Sequence, residues 1–272
     1  MDDQELAIDL ATRAGALLQD HRVAAATDSV GVDPRLAATE LRNSADAAAQ
    51  AFLSDCLTRE RPGDAVLSEE AVDSSDRDHA QRVWIIDPLD GTWEYGTGRH
   101  DWAVHVALWT RDGAGSSQLA LGAVAIPDDD VTYASFPPPT LPPLSLDRPL
   151  RIIASRSRPP KTLAAVAAAL ESAWESLGGP RAAEILSVGS VGAKVGRILR
   201  GDADIYLHDS GFYEWDVAAP LAVAQAAGLL GSHLDGTALT FNHRPPYVTD
   251  LAIARPELAG ALAEVLAEHR AP

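Results

Sequence analysis

Val83-Trp84-Ile85-Ile86-Asp87-Pro88-Leu89-Asp90-Gly91-Thr92-Trp93-Glu94 is an apolar strand that runs straight into two carboxylates. The stretch 82–86 is apolar enough to be buried on both faces, as in a layered α/β protein. Asp87 then stands at a strand end, Pro88 forces a turn, and Asp90 returns three residues later to the same side. Two carboxylates and the Leu89 carbonyl facing one point make a hard oxygen site suited to Mg²⁺. Gly91 leaves backbone room, and Thr92 stands where a helix or turn begins, so exposed N–H groups there can receive a phosphate. The same residues also fit an ordinary Asp-Pro and Asp-Gly turn after a buried strand.

Two other acidic clusters bear on that choice. Ser68-Glu69-Glu70 closes a short strand over 65–68, where paired glutamates are commonly a solvated edge. In Glu214-Trp215-Asp216-Val-Ala-Ala-Pro220 a carboxylate opens an otherwise apolar helix, where it is commonly a cap or dipole partner.

Outward from these clusters, apolar spacing predicts an amphipathic helix over 5–23 and a second over 45–59, with Asn43 and Ser44 as N-caps and Asp46 in its first turn. Strands over 102–110, 118–126 and 131–135 read as a meander. The stretch 136–149 holds six prolines and cannot join a ladder in its interior, so it divides the chain into 1–149 and 150–272 within one compact unit. Beyond it the pattern alternates: strand 151–154, helix 161–176, strand 184–187, helix 190–200, strand 203–207, helix 216–227, strand 250–254, helix 256–268. Such alternation favours an α/β layered architecture.

The 272 residues are ample for a real core, built mostly from aliphatic side chains because aromatics are only 6%. With 39 acidic and 22 basic side chains the net charge is −17, the wrong sign for nucleic acid or an anionic membrane. The lone Cys56 forms no intramolecular disulfide, the N-terminal residues lack signal-peptide character, and no apolar run reaches a membrane span. A soluble protein of a reducing cytoplasm is expected.

Together the clusters resemble the lithium-sensitive, Mg²⁺-dependent phosphatases of the inositol monophosphatase family. The resemblance rests on Glu69-Glu70, then Trp84-Ile-Ile-Asp87-Pro-Leu-Asp90-Gly-Thr92, then Trp215-Asp216-Val-Ala-Ala, in the family's order and spacing, and spans nearly the whole chain. Ile153-Ala-Ser155-Arg156-Ser157 and Val188-Gly189-Ser190, with Lys194 and Gly201-Asp-Ala-Asp-Ile-Tyr206, look like its bacterial CysQ branch. That branch removes the 3′-phosphate from 3′-phosphoadenosine 5′-phosphate, and the resemblance extends the expectation to the corresponding phosphosulfate.

The resemblance implies an α/β layered sandwich of alternating helices and sheets. It implies one metal on Glu69, Asp87 and the Leu89 carbonyl, and a second on Asp87, Asp90 and Asp216. Thr92 and Glu69 would orient the attacking water, with Asp46 as an outer partner matching the family's early Thr-x-Ala-Asp motif, which here reads Asn43-Ser-Ala-Asp46. Asp90, Gly91, Thr92, Gly189, Ser190 and Lys194 would meet substrate, although Ser190 also reads as a helix cap with Lys194 solvated. Arg158 and His208 stand where the branch often carries a histidine and an arginine; with Lys194 and Arg197 they are the candidates for the 5′-phosphate. A homodimer, Mg²⁺ and inhibition by Li⁺ follow from the same resemblance. Inositol monophosphatase or fructose 1,6-bisphosphatase activity is the alternative within the class, and a catalytically silent metal-binding protein is the alternative outside it.

Overall fold

In the computed structural model, which describes residues 1–28 and 33–269, two long helices lead into a five-stranded sheet. The helices are α1 (Asp3–Asp28) and α2 (Pro34–Glu60). The sheet is β1 (Ala65–Ser68), β2 (Arg82–Asp90), β3 (Ala103–Arg111), β4 (Ser117–Ile126) and β5 (Val131–Ala134), in that spatial order, with the short α3 (Thr92–Gly96) between β2 and β3. β1 runs parallel to β2 and the rest is antiparallel.

Alternation along β2 sets the layering. Trp84 and Ile86 pack with Leu10, Leu18, Leu53 and Leu57 of the two long helices, whereas Val83 and Ile85 enter a second core on the opposite face.

The remaining chain forms β6 (Leu150–Ser155), α4 (Leu163–Ser176), β7 (Ala183–Val188), α5 (Val191–Leu199), β8 (Ile205–His208), β9 (Phe212–Tyr213) and α6 (Glu214–Ala226). It ends in β10 (Leu230–Ser232), β11 (Tyr247–Val248), β12 (Leu251–Ala254) and α7 (Ala259–Glu268). The second sheet has the order β10-β12-β8-β6-β7, and β9 pairs with β11 in a separate ribbon. The layers are therefore α1 and α2, the first sheet, α5 and α6, the second sheet, then α4 and α7. The middle core takes Val83 and Ile85 from one sheet, Val195, Val217 and Val223 from the helices and Ile153, Tyr206 and Ile253 from the other sheet. The stretch 136–149 contains no helix or strand.

Three local expectations need correcting. First, α2 begins eleven residues before the predicted start: Asp33 caps it, accepting from Arg35 N at 2.8 Å, and Pro34 occupies the first turn. Ser44 lies inside the helix and donates back to the Glu40 carbonyl, so Asp46 is mid-helix rather than in a first turn. Second, β2 does not stop at Ile86 but continues to Asp90. Third, α6 starts at Glu214, with the Tyr213 N–H donating to Asp216 Oδ2 at 2.8 Å. The ribbon of β9 and β11, the strand β10 and the helix α3 are too short to leave a periodic signal.

Close contact between layers yields a stability prediction. A methyl group on Gly122 of β4 would stand 2.8 Å from the Ala219 carbonyl oxygen and 2.9 Å from Ala222 Cβ of α6. Gly122→Ala is expected to cost roughly 1 to 3 kcal/mol by overpacking, read as a lower denaturation midpoint; an unchanged midpoint would show that sheet and helix separate freely.

Candidate active site

Residues i and i+3 of a regular strand face opposite sides, so Asp87 and Asp90 share a face only if the strand is interrupted. It is: Asp87 pairs with His105 and Asp90 with Ala103, so three steps on β2 match two on β3. That one-residue bulge resets the alternation and turns both carboxylates toward the middle layer of helices. There α6 supplies Asp216, and one oxygen from each of the three carboxylates lies within 4.8 Å of the other two. Gly91 follows in the left-handed region at φ 90°, where a side chain would crowd the Asp101 carbonyl at 3.2 Å.

Each carboxylate is held from behind. Asp87 Oδ1 accepts from Leu89 N at 3.0 Å, while its buried Oδ2 has no partner. Asp90 Oδ2 accepts from Ser190 Oγ at 2.6 Å and Gly192 N at 3.1 Å, with His105 Nε2 3.3 Å away, off the line of a hydrogen bond. Ser190 also caps α5, accepting from Ala193 N, so cap and carboxylate support are one side chain. Thr92 Oγ1 donates to the Leu89 carbonyl at 3.0 Å, next to the carboxylates.

The electrostatics reflect several carboxyl groups gathered at one place. Burial, with Glu69, Asp90 and Asp216 nearby, pushes the Asp87 carboxyl well above its usual range. Burial and then Asp90 push Asp216 to about 7. Glu69 stands at the rim, its side chain exposed to water but its carboxyl crowded by protein, then by Asp216, Glu70 and Asp90, and is pushed to about 8. Asp46 reaches the same rim from the middle of α2, pushed to about 7 by burial and then by Glu70. An all-oxygen set with an orphaned buried oxygen fits a hard divalent cation.

Other expected contacts lie elsewhere. Lys194 is buried, its ammonium donating back to the Gly189 and Ser190 carbonyls and standing 5.1 Å from the Tyr206 ring centre. It is neither solvated nor held out to a ligand, and burial lowers it to about 8 while Asp90 and Glu94 work to raise it. His208 is buried, stacked on Phe212, and lowered to about 4 by burial, so at neutral pH it is not the cation expected for a phosphate. Arg197 pairs with Asp202 and lines a separate cavity with Arg99, Asp101 and Arg156. Glu70 is exposed. Arg158 remains exposed, bonded through Nη1 to the Gly211 carbonyl at 3.2 Å, and its charge acts on Asp216.

Sequence reasoning missed the support of the Gly189 segment. Arg156 donates to Glu94 Oε1 at 2.6 Å and Asp101 Oδ2 at 2.5 Å, and Asp101 Oδ2 also accepts from Gly189 N at 2.8 Å. Any side chain at Gly189 would collide with Glu94, its Cβ 2.2 Å from Glu94 Cδ. Spacing held no signal for this cluster, because its hydrogen-bonded partners are 55 to 88 residues apart.

Comparison with known proteins places this geometry. A model of the inositol monophosphatase family matches residues 2–271. The 3′-phosphoadenosine 5′-phosphate phosphatase of Mycobacterium leprae (strain TN) is 41% identical over 281 residues, covering 98% of this chain and 94% of its own. The protein of the same name from Mycobacterium bovis (strain ATCC BAA-935 / AF2122/97) is 42% identical over 237 residues, covering 84% and 82%. Inositol monophosphatase II of Staphylococcus aureus MSSA476 has the same fold, with a TM-score of 0.71 at 20% identity over 96% of this chain and 94% of its own.

Proposed function

The chain belongs to the inositol monophosphatase family, and from that premise we propose that it is a Mg²⁺-dependent phosphomonoesterase that cleaves the 3′-phosphate from 3′-phosphoadenosine 5′-phosphate, leaving AMP. The corresponding phosphosulfate is a second substrate. The observation that carries the reading is the buried triad Asp87, Asp90 and Asp216 with an unpartnered oxygen on Asp87. Its nucleotide specificity is supported by the mycobacterial relatives.

Glu69, Asp87 and the Leu89 carbonyl would hold one ion, and Asp87, Asp90 and Asp216 a second. Divalent ions, when bound, supply the Lewis-acid charge that acidifies a water and neutralises phosphoryl oxygens. Thr92, its hydroxyl turned by the Leu89 carbonyl, and Glu69 hold the attacking water in line with phosphorus. Asp46 steadies the rim behind Glu69. Ser190 and the Gly192 N–H keep Asp90 aimed, and Gly189, pinned by Asp101, meets the substrate with Asp90, Gly91 and Thr92. Arg158 receives the 5′-phosphate; Lys194 acts from within as a countercharge to the carboxylates. The setting is a homodimer in the cytoplasm.

Phosphate release from 3′-phosphoadenosine 5′-phosphate, inositol 1-phosphate and fructose 1,6-bisphosphate, with Mg²⁺ and with EDTA, tests this reading. The nucleotide should give the highest kcat/KM, EDTA should abolish release, and Li⁺ should inhibit where an equal concentration of Na⁺ does not. A preference for inositol 1-phosphate would remove the nucleotide assignment, and no release from any of the three would leave a silent metal-binding protein.

A further inference from the structure

Beside Asp216 the surface carries exposed aromatic rings for which the fold has no use. Tyr213 and Tyr247 are 46% and 47% exposed, although each belongs to a paired strand of the ribbon β9 and β11. Tyr213 lies on Trp215, ring centres 4.6 Å apart and planes 14° from parallel. Tyr247 meets Tyr213 edge-on, at 5.7 Å and 82°. The rings form a right-angled aromatic corner.

That corner is fixed to the site at both ends. The Tyr213 N–H is bonded to Asp216 Oδ2. The Tyr247 hydroxyl lies on Gly211, where a Cβ would be 1.7 Å from it, and the Gly211 carbonyl accepts from exposed Arg158. The aromatic corner is therefore tied to Asp216 through Tyr213 and, through Gly211, to Arg158, whose charge also acts on Asp216. Apolar rings left open beside a carboxylate triad and an Arg suit a flat, π-faced group carried on a phosphorylated molecule, since any base can stack on such a ring whatever its hydrogen-bonding edge.

We propose that the corner of Tyr213 and Tyr247 is the subsite for the purine base of the substrate. This rests on the nucleotidase reading above and adds the residues that recognise the nucleoside. Stacking places the ribose over the triad's mouth, so the base acts on affinity rather than on the chemical step.

The test compares wild type with Tyr247→Leu, which keeps apolar bulk without a ring, and Tyr247→Phe, which keeps the ring without the hydroxyl. Hydrolysis of 3′-phosphoadenosine 5′-phosphate is measured together with its inhibition by AMP and by inorganic phosphate. Loss of a stacked base should raise KM and the AMP inhibition constant of Tyr247→Leu roughly 10- to 100-fold, leave kcat and the phosphate inhibition constant within about threefold, and be restored in Tyr247→Phe. Unchanged AMP inhibition, or equal losses for AMP and phosphate, would overturn the subsite. If wild type neither cleaves the nucleotide nor is inhibited by AMP while it hydrolyses inositol 1-phosphate, the nucleotidase reading fails and the subsite with it.

Discussion

Asp87→Asn should lower kcat at least about 100-fold, because even residues that only support a metal ligand commonly cost 10- to 100-fold when replaced. The fold should survive. Asn keeps an oxygen for the Leu89 N–H and fits the same volume, but it removes a carboxyl that, crowded by burial and by Glu69, Asp90 and Asp216, must take up a proton for the metal-free chain to fold. Its metal-free melting temperature should therefore rise by several degrees, on a scale of roughly 2 to 4 °C per kcal/mol for a chain approaching this size. The shift produced by Mg²⁺ should shrink at the same time. A variant with near-native kcat and an unchanged response to Mg²⁺ would remove Asp87 from the site. Asp216→Asn should lose activity similarly; a variant that loses stability alone would reduce Asp216 to the cap of α6.

Metal-free protein should also lose stability between pH 6.5 and 8, against the usual direction for carboxylates. Asp216 and Asp46, pushed to about 7, and Glu69, pushed to about 8, all lie above their unfolded values. In this window the folded state binds more protons than the unfolded chain, so stability falls as pH rises through the folded values. Buried His105 and His208 are lowered and work in the opposite direction, but mainly below and just above their unfolded value near 6.5. Lys194, lowered to about 8, contributes its rise mainly above the window. A net fall is expected, with the exposed Glu69 contributing less than the buried Asp216 because water screens its charge; urea unfolding in EDTA measures it, and saturating Mg²⁺ should abolish it. Metal-free stability that climbs from pH 6.5 to 8 would contradict the crowding of these carboxylates.

The acidic motif around Asp87 and Asp90 is legible because a short segment carries its whole chemistry, and Asp216 is legible because a charge interrupts an apolar helix. What brings Asp87 and Asp90 to one face is not, since a bulge depends on pairing with β3, whose residues lie 13 to 18 positions away. The start of α2 was readable in Asp33-Pro34, a cap followed by a first-turn proline, but the later Asn43-Ser44 pair competes for the same role. Lys194 and His208 mislead because basic side chains are ordinarily exposed, whereas α5, which carries Lys194, is buried around most of its circumference and β8, which ends at His208, is a buried central strand. The Tyr213 and Tyr247 corner joins residues 34 positions apart through a two-residue pairing, below the reach of any periodicity.

Sharing one middle layer of helices between two sheets governs how the protein is made. The first sheet is complete once Ala134 has left the ribosome, but α5 and α6, which cover Val83, Ile85 and Trp109, end only at Leu199 and Ala226. At roughly 5 to 20 residues per second, that apolar face stays uncovered for several seconds of every synthesis. The nascent chain passes through a sticky stage that the finished molecule hides, and chaperone binding should concentrate there. A pause once residue 149 has left the ribosome would lengthen it, whereas the same pause once residue 226 has left would find the face already closed.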